Sequence, residues 1–163
     1  MKLIHILSAF IFPLLIITQN ADAQSALMQA LPEKKAAPAI GWKDAKGNDT
    51  SIADYKGKTV LLHFWATWCP PCVEELPQMM HVDQSNVTLI PISLDRQPIQ
   101  AQIFYQKHDI NLPFFYAENQ KILRAYGVKG LPASLVIDHN GHIIAGRMGA
   151  VDWSKQTFDF TKN

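Results

Sequence analysis

The chain has 163 residues, with 15 Lys and Arg against 14 Asp and Glu, and hydrophobic residues make up 48% of it. This composition excludes disorder, collagen-like repeats and a coiled coil, and it predicts one compact domain with a substantial core. A formal net charge of +1 excludes the strongly basic surface that nucleic-acid binding requires, and two cysteines are too few for a multi-disulfide scaffold.

Residues 1–23 are predicted to be a signal peptide. Lys2 supplies a positive start, an almost wholly apolar run follows from Leu3 to Ile17, and Ala21-Asp22-Ala23 is a small-x-small cleavage pattern. An uncleaved membrane anchor is the alternative, although this proline-containing run is short for a span of about 20 residues. In an oxidising compartment, a lone cysteine pair is expected to be disulfide-bonded unless a donor reduces it.

The rest of the chain is predicted to be a flexible lead-in over residues 24–38, which are polar, Ala-rich and punctuated by proline, and a folded domain over residues 39–163. Residues 59–65 (TVLLHFW) are apolar, β-branched and aromatic almost without interruption, which is typical of a central strand buried on both faces. A helix should begin just after this strand because Pro70 and Pro71 suit a first helical turn.

The other predicted elements follow from apolar runs and turn signals. They are strands at 39–42, 87–94, 133–138 and 142–146, a short apolar run at 112–116, helices at 98–108 and 119–126, and a last helix that Asp152 could cap, through about residue 160. A kink is expected at Pro77, and Asn140-Gly141 is a strong hairpin signal. The order of elements is typical of an α/β protein with a mixed sheet.

The segment Phe64–Cys72 (FWATWCPPC) resembles the active-site signature of the thioredoxin superfamily and, more narrowly, that of the exported TlpA/ResA-like thioredoxins. Further matches to that family are Glu75 and Pro77 after the second cysteine, Gly130-Leu131-Pro132 before a strand, residues 135–141 as a closing hairpin, and residues 87–119 as a central insertion. The resemblance spans about residues 38–153. It implies a thioredoxin fold, in which helices flank a central mixed sheet, with a family-type central insertion.

The cysteine pair carries the predicted chemistry. Cys69 lies at a helix start, where unpaired amides and the helix dipole favour a thiolate, whereas Cys72 lies one turn further in and should be more buried. Cys69 is therefore predicted to attack a partner and form a mixed disulfide, which Cys72 resolves. An inert bond is one alternative, and a copper site completed by a histidine such as His63 or His81 is another.

Glu75 matches the active-site glutamate of the TlpA/ResA-like group, and a carboxylate near the thiols could accept the proton of Cys72. The alternative is a solvated glutamate at a helix start, which we expect of Glu74. The resemblance also implies that the bond before Pro132 is cis, and that this loop lies beside the cysteines and pairs with the backbone of a client.

The predicted client-binding surface consists of Trp68, Pro70, Pro71, Leu131 and Ala133. Trp68 is expected to be exposed because it immediately precedes Cys69, whereas Trp65 is expected in the core. His63 stands where cytoplasmic thioredoxins carry a buried aspartate. We favour a core histidine bonded to a neighbour, with a proton relay or pH sensor as the alternative.

The sequence therefore predicts a periplasmic thiol–disulfide oxidoreductase that reduces an exported client, with no cofactor because the cysteines carry the electrons. Its expected partners are a disulfide-containing client and a membrane electron donor of the thiol-reducing type, and it is expected to be a monomer that binds no nucleic acid. The resemblance suggests cytochrome c biogenesis, with apocytochrome c or a protein being readied for copper as the client. A disulfide-donating oxidase and a copper-binding chaperone are the alternatives.

Overall fold

The strand at the centre of the sheet is β4 (Val60–Trp65), and all six of its residues are buried. The structure is a computed structural model, and it describes residues 28–156. β4 pairs in parallel with β5 (Thr88–Ser93) and antiparallel with β7 (Ala133–Ile137). A strand with neighbours on both sides and layers on both faces has no solvated face, which explains its unbroken apolar run.

The complete sheet has eight strands in the order β1-β8-β7-β4-β5-β6-β2-β3. The remaining strands are β1 (Gln29–Ala36), β2 (Trp42–Asp44), β3 (Asp49–Thr50), β6 (Phe115–Tyr116) and β8 (His142–Met148). Parallel and antiparallel pairs both occur, so the predicted mixed sheet of an α/β protein is confirmed.

The helices are α1 (Pro70–Glu75), α2 (Pro98–Lys107) and α3 (Lys121–Ala125), with 3-10 turns at Ile52–Tyr55 and Leu76–His81. Instead of the kink predicted at Pro77, the helix changes type: α1 ends at Glu75, and residues Leu76–His81 continue as a 3-10 helix, because proline has no N–H to donate. Within residues 28–156, none of the helices combines the length and the apolar character needed to cross a membrane.

The sheet begins earlier in the chain than predicted. Residues 29–36 fall in the predicted flexible lead-in, yet they form β1, which pairs antiparallel with β8 at the sheet edge. Every side chain of β1 is exposed, so backbone hydrogen bonds hold the strand and no apolar alternation marks it in the sequence. The prediction of a flexible lead-in is therefore corrected for residues 29–36, and the folded domain begins before the predicted residue 39. The predicted signal peptide and residues 24–27 lie outside the described residues.

Two other predicted elements differ from the structure. The strand expected at 39–42 is instead β2, which begins at Trp42, because β3 pairs with it from Trp42 onward and β6 from Lys43 onward. The segment 151–156 contains turns rather than the start of a helix, and the rest of the predicted last helix lies outside the described residues.

Candidate active site

Cys69 and Cys72 form a disulfide at the point where β4 leads into α1. Cys69 caps the helix, and Cys72 lies in its first turn. Cys69 retains 5% of its surface exposure, whereas Cys72 retains none. The predicted greater burial of Cys72 is confirmed, and Cys69 is the sulfur that a partner can reach first.

The helix start offers few donors to the Cys69 sulfur. Pro70 and Pro71 begin α1 and carry no N–H. The next two amides, those of Cys72 and Val73, donate to the carbonyl oxygen of Cys69 at 3.0 and 3.2 Å, and the Cys69 side chain makes no capping hydrogen bond. The local backbone therefore stabilises a thiolate at Cys69 weakly, since such stabilisation comes largely from amide N–H groups directed at the sulfur.

The loop before β7 lies at the same end of the sheet. The Leu131–Pro132 bond is cis, as the family resemblance implies. Ala133 pairs with Phe64, near the end of β4 from which the chain continues to the cysteines. The amide of Gly149 donates to the Pro132 carbonyl at 2.8 Å, so the residue that follows β8 holds this loop by a backbone hydrogen bond.

Most of the predicted client-binding residues are accessible. Trp68 is 59% exposed, Pro70 and Pro71 are exposed, and Leu131 is half-buried. Ala133 is the correction: it is fully buried because it pairs with strands on both sides, so its side chain cannot line a surface groove. Client contact by the other four remains a prediction.

Glu75 is a buried carboxyl on the helix that carries the disulfide. It shares the buried face of α1 with Cys72, one turn earlier, whereas Glu74 is exposed, as expected for the solvated glutamate. Its Oε1 accepts hydrogen bonds from the Trp153 indole at 2.6 Å and the Val151 amide at 3.3 Å. Burial raises the pKa of Glu75 from 4.5 to about 7, although both donors oppose that shift. A carboxyl with this pKa can both accept and release a proton near neutral pH.

His63 is fully buried in β4, and its Nδ1 lies 2.9 Å from the Ser134 hydroxyl of β7. Burial lowers the pKa of His63 from 6.5 to about 3, so the ring is neutral at physiological pH. The favoured prediction, a core histidine bonded to a neighbour, is confirmed.

A buried carboxyl that the sequence analysis did not single out, Asp95, binds the chain just before the cysteines. Asp95 accepts hydrogen bonds from the Thr67 amide, the Thr67 hydroxyl at 2.7 Å and the Ser93 hydroxyl at 2.9 Å. Thr67 is two residues before Cys69, so Asp95 fixes the conformation of the chain that leads into the disulfide. Its position just beyond β5 was a usable signal, because functional side chains collect where parallel strands end.

Trp153 was also missed. It lies 78 residues from Glu75, in a segment that was predicted to begin a helix and instead forms turns, and only the tertiary fold brings the two together. Among residues 28–156, no group of three or more His, Cys, Asp or Glu side chains is arranged to hold a metal ion.

The fold and the site together define a thioredoxin-fold protein with a Cys-x-x-Cys disulfide at a helix start. The chain belongs to the Redoxin family, whose model matches residues 32–159. The resemblance to TlpA/ResA-like thioredoxins is confirmed by the curated relatives and solved structures that match it.

The chain is 34% identical to thiol-disulfide oxidoreductase ResA of Bacillus thuringiensis subsp. konkukian over 114 residues, or 68% of this chain and 66% of the relative. It is 34% identical to ResA of Bacillus anthracis over 119 residues, or 71% and 69% of the two chains. The chain thus spans about two thirds of the length of these relatives. A structure named as thiol:disulfide interchange protein DsbE, from Chlorobium tepidum, matches with a TM-score of 0.68 and 27% identity, covering 77% of this chain and 92% of that one.

Proposed function

We propose that this thiol–disulfide oxidoreductase acts as a reductant of disulfides in exported client proteins. The reduced Cys69 thiolate attacks one client sulfur, which forms a Cys69–client disulfide and releases the other client sulfur as a thiolate. The Cys72 thiol then loses its proton and attacks the Cys69 sulfur. This step forms the disulfide seen in the structure, releases the second client thiolate and completes the transfer of two electrons.

The observation that carries the reductant direction is the hydrogen bonding at the start of α1. Two prolines supply no N–H, and the next two amides bond the Cys69 carbonyl oxygen. A weakly stabilised thiolate makes the dithiol form less stable relative to the disulfide. The pair therefore gives electrons away more readily than that of a strong oxidant, whose reduced form is stabilised.

Glu75 is the proton acceptor in this scheme. It lies one helical turn from Cys72 on the same buried face, and its pKa of about 7 lets it take the Cys72 proton near neutral pH. Efficient proton transfer requires a group whose pKa lies near the working pH. The named relatives, thiol-disulfide oxidoreductases and interchange proteins, support the chemistry.

The cellular setting follows from the same scheme. A signal peptide over residues 1–23 would deliver the protein to the periplasm, where a membrane donor of the thiol-reducing type returns electrons to the Cys69–Cys72 disulfide. The client is an exported protein with a disulfide, and apocytochrome c fits this description. Trp68, with its largely exposed indole beside Cys69, provides apolar surface for the client.

Acid quenching of intact cells followed by thiol alkylation tests this proposal. The wild-type pair should be mostly reduced, because a donor keeps it ready for clients, and mostly oxidised protein would contradict the reductant direction. In the same cells, Cys72→Ala should accumulate mixed disulfides with clients, whereas Cys69→Ala should not. The opposite trapping pattern would reverse the roles of the two cysteines.

A further inference from the structure

We propose that Trp153 is the positioning residue of Glu75: its indole N–H holds Oε1, so that Oε2 is the oxygen that takes the Cys72 proton. This inference rests on the proposed function and adds a residue to its site. Trp153 is remote from the cysteines in sequence and lies in the turn segment after β8.

The two carboxyl oxygens of Glu75 have different hydrogen-bonding environments. Oε1 of Glu75 accepts from both Trp153 and Val151, at 2.6 and 3.3 Å. Oε2 is buried and has no hydrogen-bond partner among the residues that the structure describes. A buried carboxylate oxygen that accepts no hydrogen bond is costly, and a proton on Oε2 neutralises this uncompensated charge, whereas a proton on Oε1 would compete with its two N–H donors. The geometry therefore selects Oε2 as the protonation site.

The Trp153 side chain is itself held in place by its neighbours. Trp153 is buried, and its ring meets the His63 ring edge to face, with centroids 6.1 Å apart and planes at 82°. His63 is fixed in turn by the Ser134 hydroxyl. Arg147 donates from Nε to the Ala150 carbonyl at 3.0 Å, which braces the chain leading to this segment. A donor held on several sides can fix the carboxyl without reorganising during the reaction.

The charged and titratable groups around Glu75 are few. On α1 and at its N-cap they are Cys72 and Cys69, which do not titrate while disulfide-bonded, and Glu74, which is exposed. In the segment after β8, Asp152 forms an ion pair with Lys155 at 2.7 Å. From β8, the positive charge of Arg147 lowers the pKa of Glu75. From β4, His63 contributes no charge near neutral pH because its pKa is about 3. Apart from Arg147, the groups that favour the Glu75 carboxylate are thus the two N–H donors of the segment after β8.

Carbon-13 NMR titration of the Glu75 carboxyl carbon in the oxidised protein tests the contact directly, with Glu75→Gln to assign the signal. Trp153→Phe keeps the aromatic bulk but removes the donor, so the midpoint should rise by about one pH unit. Trp42→Phe is the matched control. Trp42 is buried in β2, which β5 and β6 separate from β4, and its indole N–H has no acceptor among the described residues. An unchanged midpoint in Trp153→Phe overturns the inference.

A measurement on the unmodified chain removes any dependence on how well Trp153→Phe folds. The indole N–H resonance of Trp153 should shift with pH at the Glu75 midpoint, and this shift should vanish in Glu75→Gln. The Trp42 indole should show no such titration. A Trp153 resonance that ignores the Glu75 midpoint contradicts the proposal.

Kinetics then test the role in the reaction. Reduced protein is mixed with glutathione disulfide and quenched with acid, and mass spectrometry follows the decay of the Cys69–glutathione adduct. Trp153→Phe should move the pH midpoint of this decay upward, and adding it to Glu75→Gln should change nothing further. The positioning role is overturned if Trp153→Phe slows the adduct decay equally at every pH. It is also overturned if Trp153→Phe slows the decay further when added to Glu75→Gln. A Cys72→Ala protein that forms no Cys69–glutathione adduct overturns the proposed function, while the NMR titration still decides the contact.

Discussion

At the scale of single residues, Glu75 combines two properties that usually conflict. It is buried as thoroughly as an apolar core residue, with 2% of its surface exposed, yet it must ionise during the proposed reaction. The donors on Oε1 only partly offset the loss of hydration, so its pKa is about 7. The folded protein therefore carries a destabilising charge above that pH, on the carboxyl that we propose as the proton acceptor for Cys72.

Glu75→Gln should make the oxidised protein more stable above pH 7. Because the folded carboxyl binds its proton more tightly than the unfolded one, the free energy of unfolding of the wild type should fall as pH rises from about 4.5 to about 7. Gln mimics the protonated carboxyl, so the two proteins should match near pH 4. They should differ by about 2–3 kcal/mol above pH 7, measured by urea unfolding.

The control for this measurement is Glu74→Gln, a change of the same kind on the exposed face of α1. It relieves no buried charge, so its stability should follow the wild type across the whole pH range. A constant gap between Glu75→Gln and the wild type at every pH would show that burial does not perturb this carboxyl.

At the scale of the elements, the sequence predicts those strands and helices whose residue types directly reflect their burial or their position in the element. The apolar run of β4 indicates burial on both faces, and the prolines after Cys69 mark the start of α1. β1 was missed because it is exposed throughout and held by backbone pairing, which no side-chain pattern reports. The Trp153–Glu75 contact was missed because it depends on where the chain goes after β8.

The loop between β4 and α1 depends on a carboxyl from the end of β5. Asp95 accepts hydrogen bonds from Thr67 and Ser93, and the two strands bring these groups together because they run in parallel. This arrangement fixes the backbone just before Trp68 and Cys69. It thereby keeps the Cys69 sulfur and the neighbouring Trp68 indole in one orientation, as the proposed attack on a client requires.

Asp95→Asn should destabilise the oxidised protein by about 1–3 kcal/mol, because the amide offers one acceptor oxygen where the carboxylate offers two, and buried donors lose their partners. It should also slow mixed-disulfide formation. Urea unfolding and the rate of adduct formation with glutathione disulfide measure the two effects. Asp83→Asn is the matched control: Asp83 also accepts from a serine, but on the surface, so little should change. Equal effects of the two changes would remove Asp95 from this role.

At the scale of the whole molecule, the sheet order gathers three distant parts of the chain. β4 delivers the cysteines, the start of β7 delivers the cis-proline loop, and the chain after β8 delivers Trp153. The chain after β8 is hydrogen-bonded to both of the other parts. The Gly149 amide donates to the Pro132 carbonyl, and the Trp153 indole donates to Glu75 on the helix that carries Cys72. We propose that the cysteine pair of the site assembled in this way is a reductant.

The reduction potential of the Cys69–Cys72 pair, measured by equilibration with glutathione buffers, tests that claim most directly. Pro70 and Pro71 remove N–H donors that would stabilise a Cys69 thiolate, and a buried Glu75 carboxylate does not stabilise it either. The pair should therefore be more reducing than about −180 mV, the value for protein disulfide isomerase. A potential near about −120 mV, that of a strong disulfide donor, would contradict the account and make the protein an oxidase.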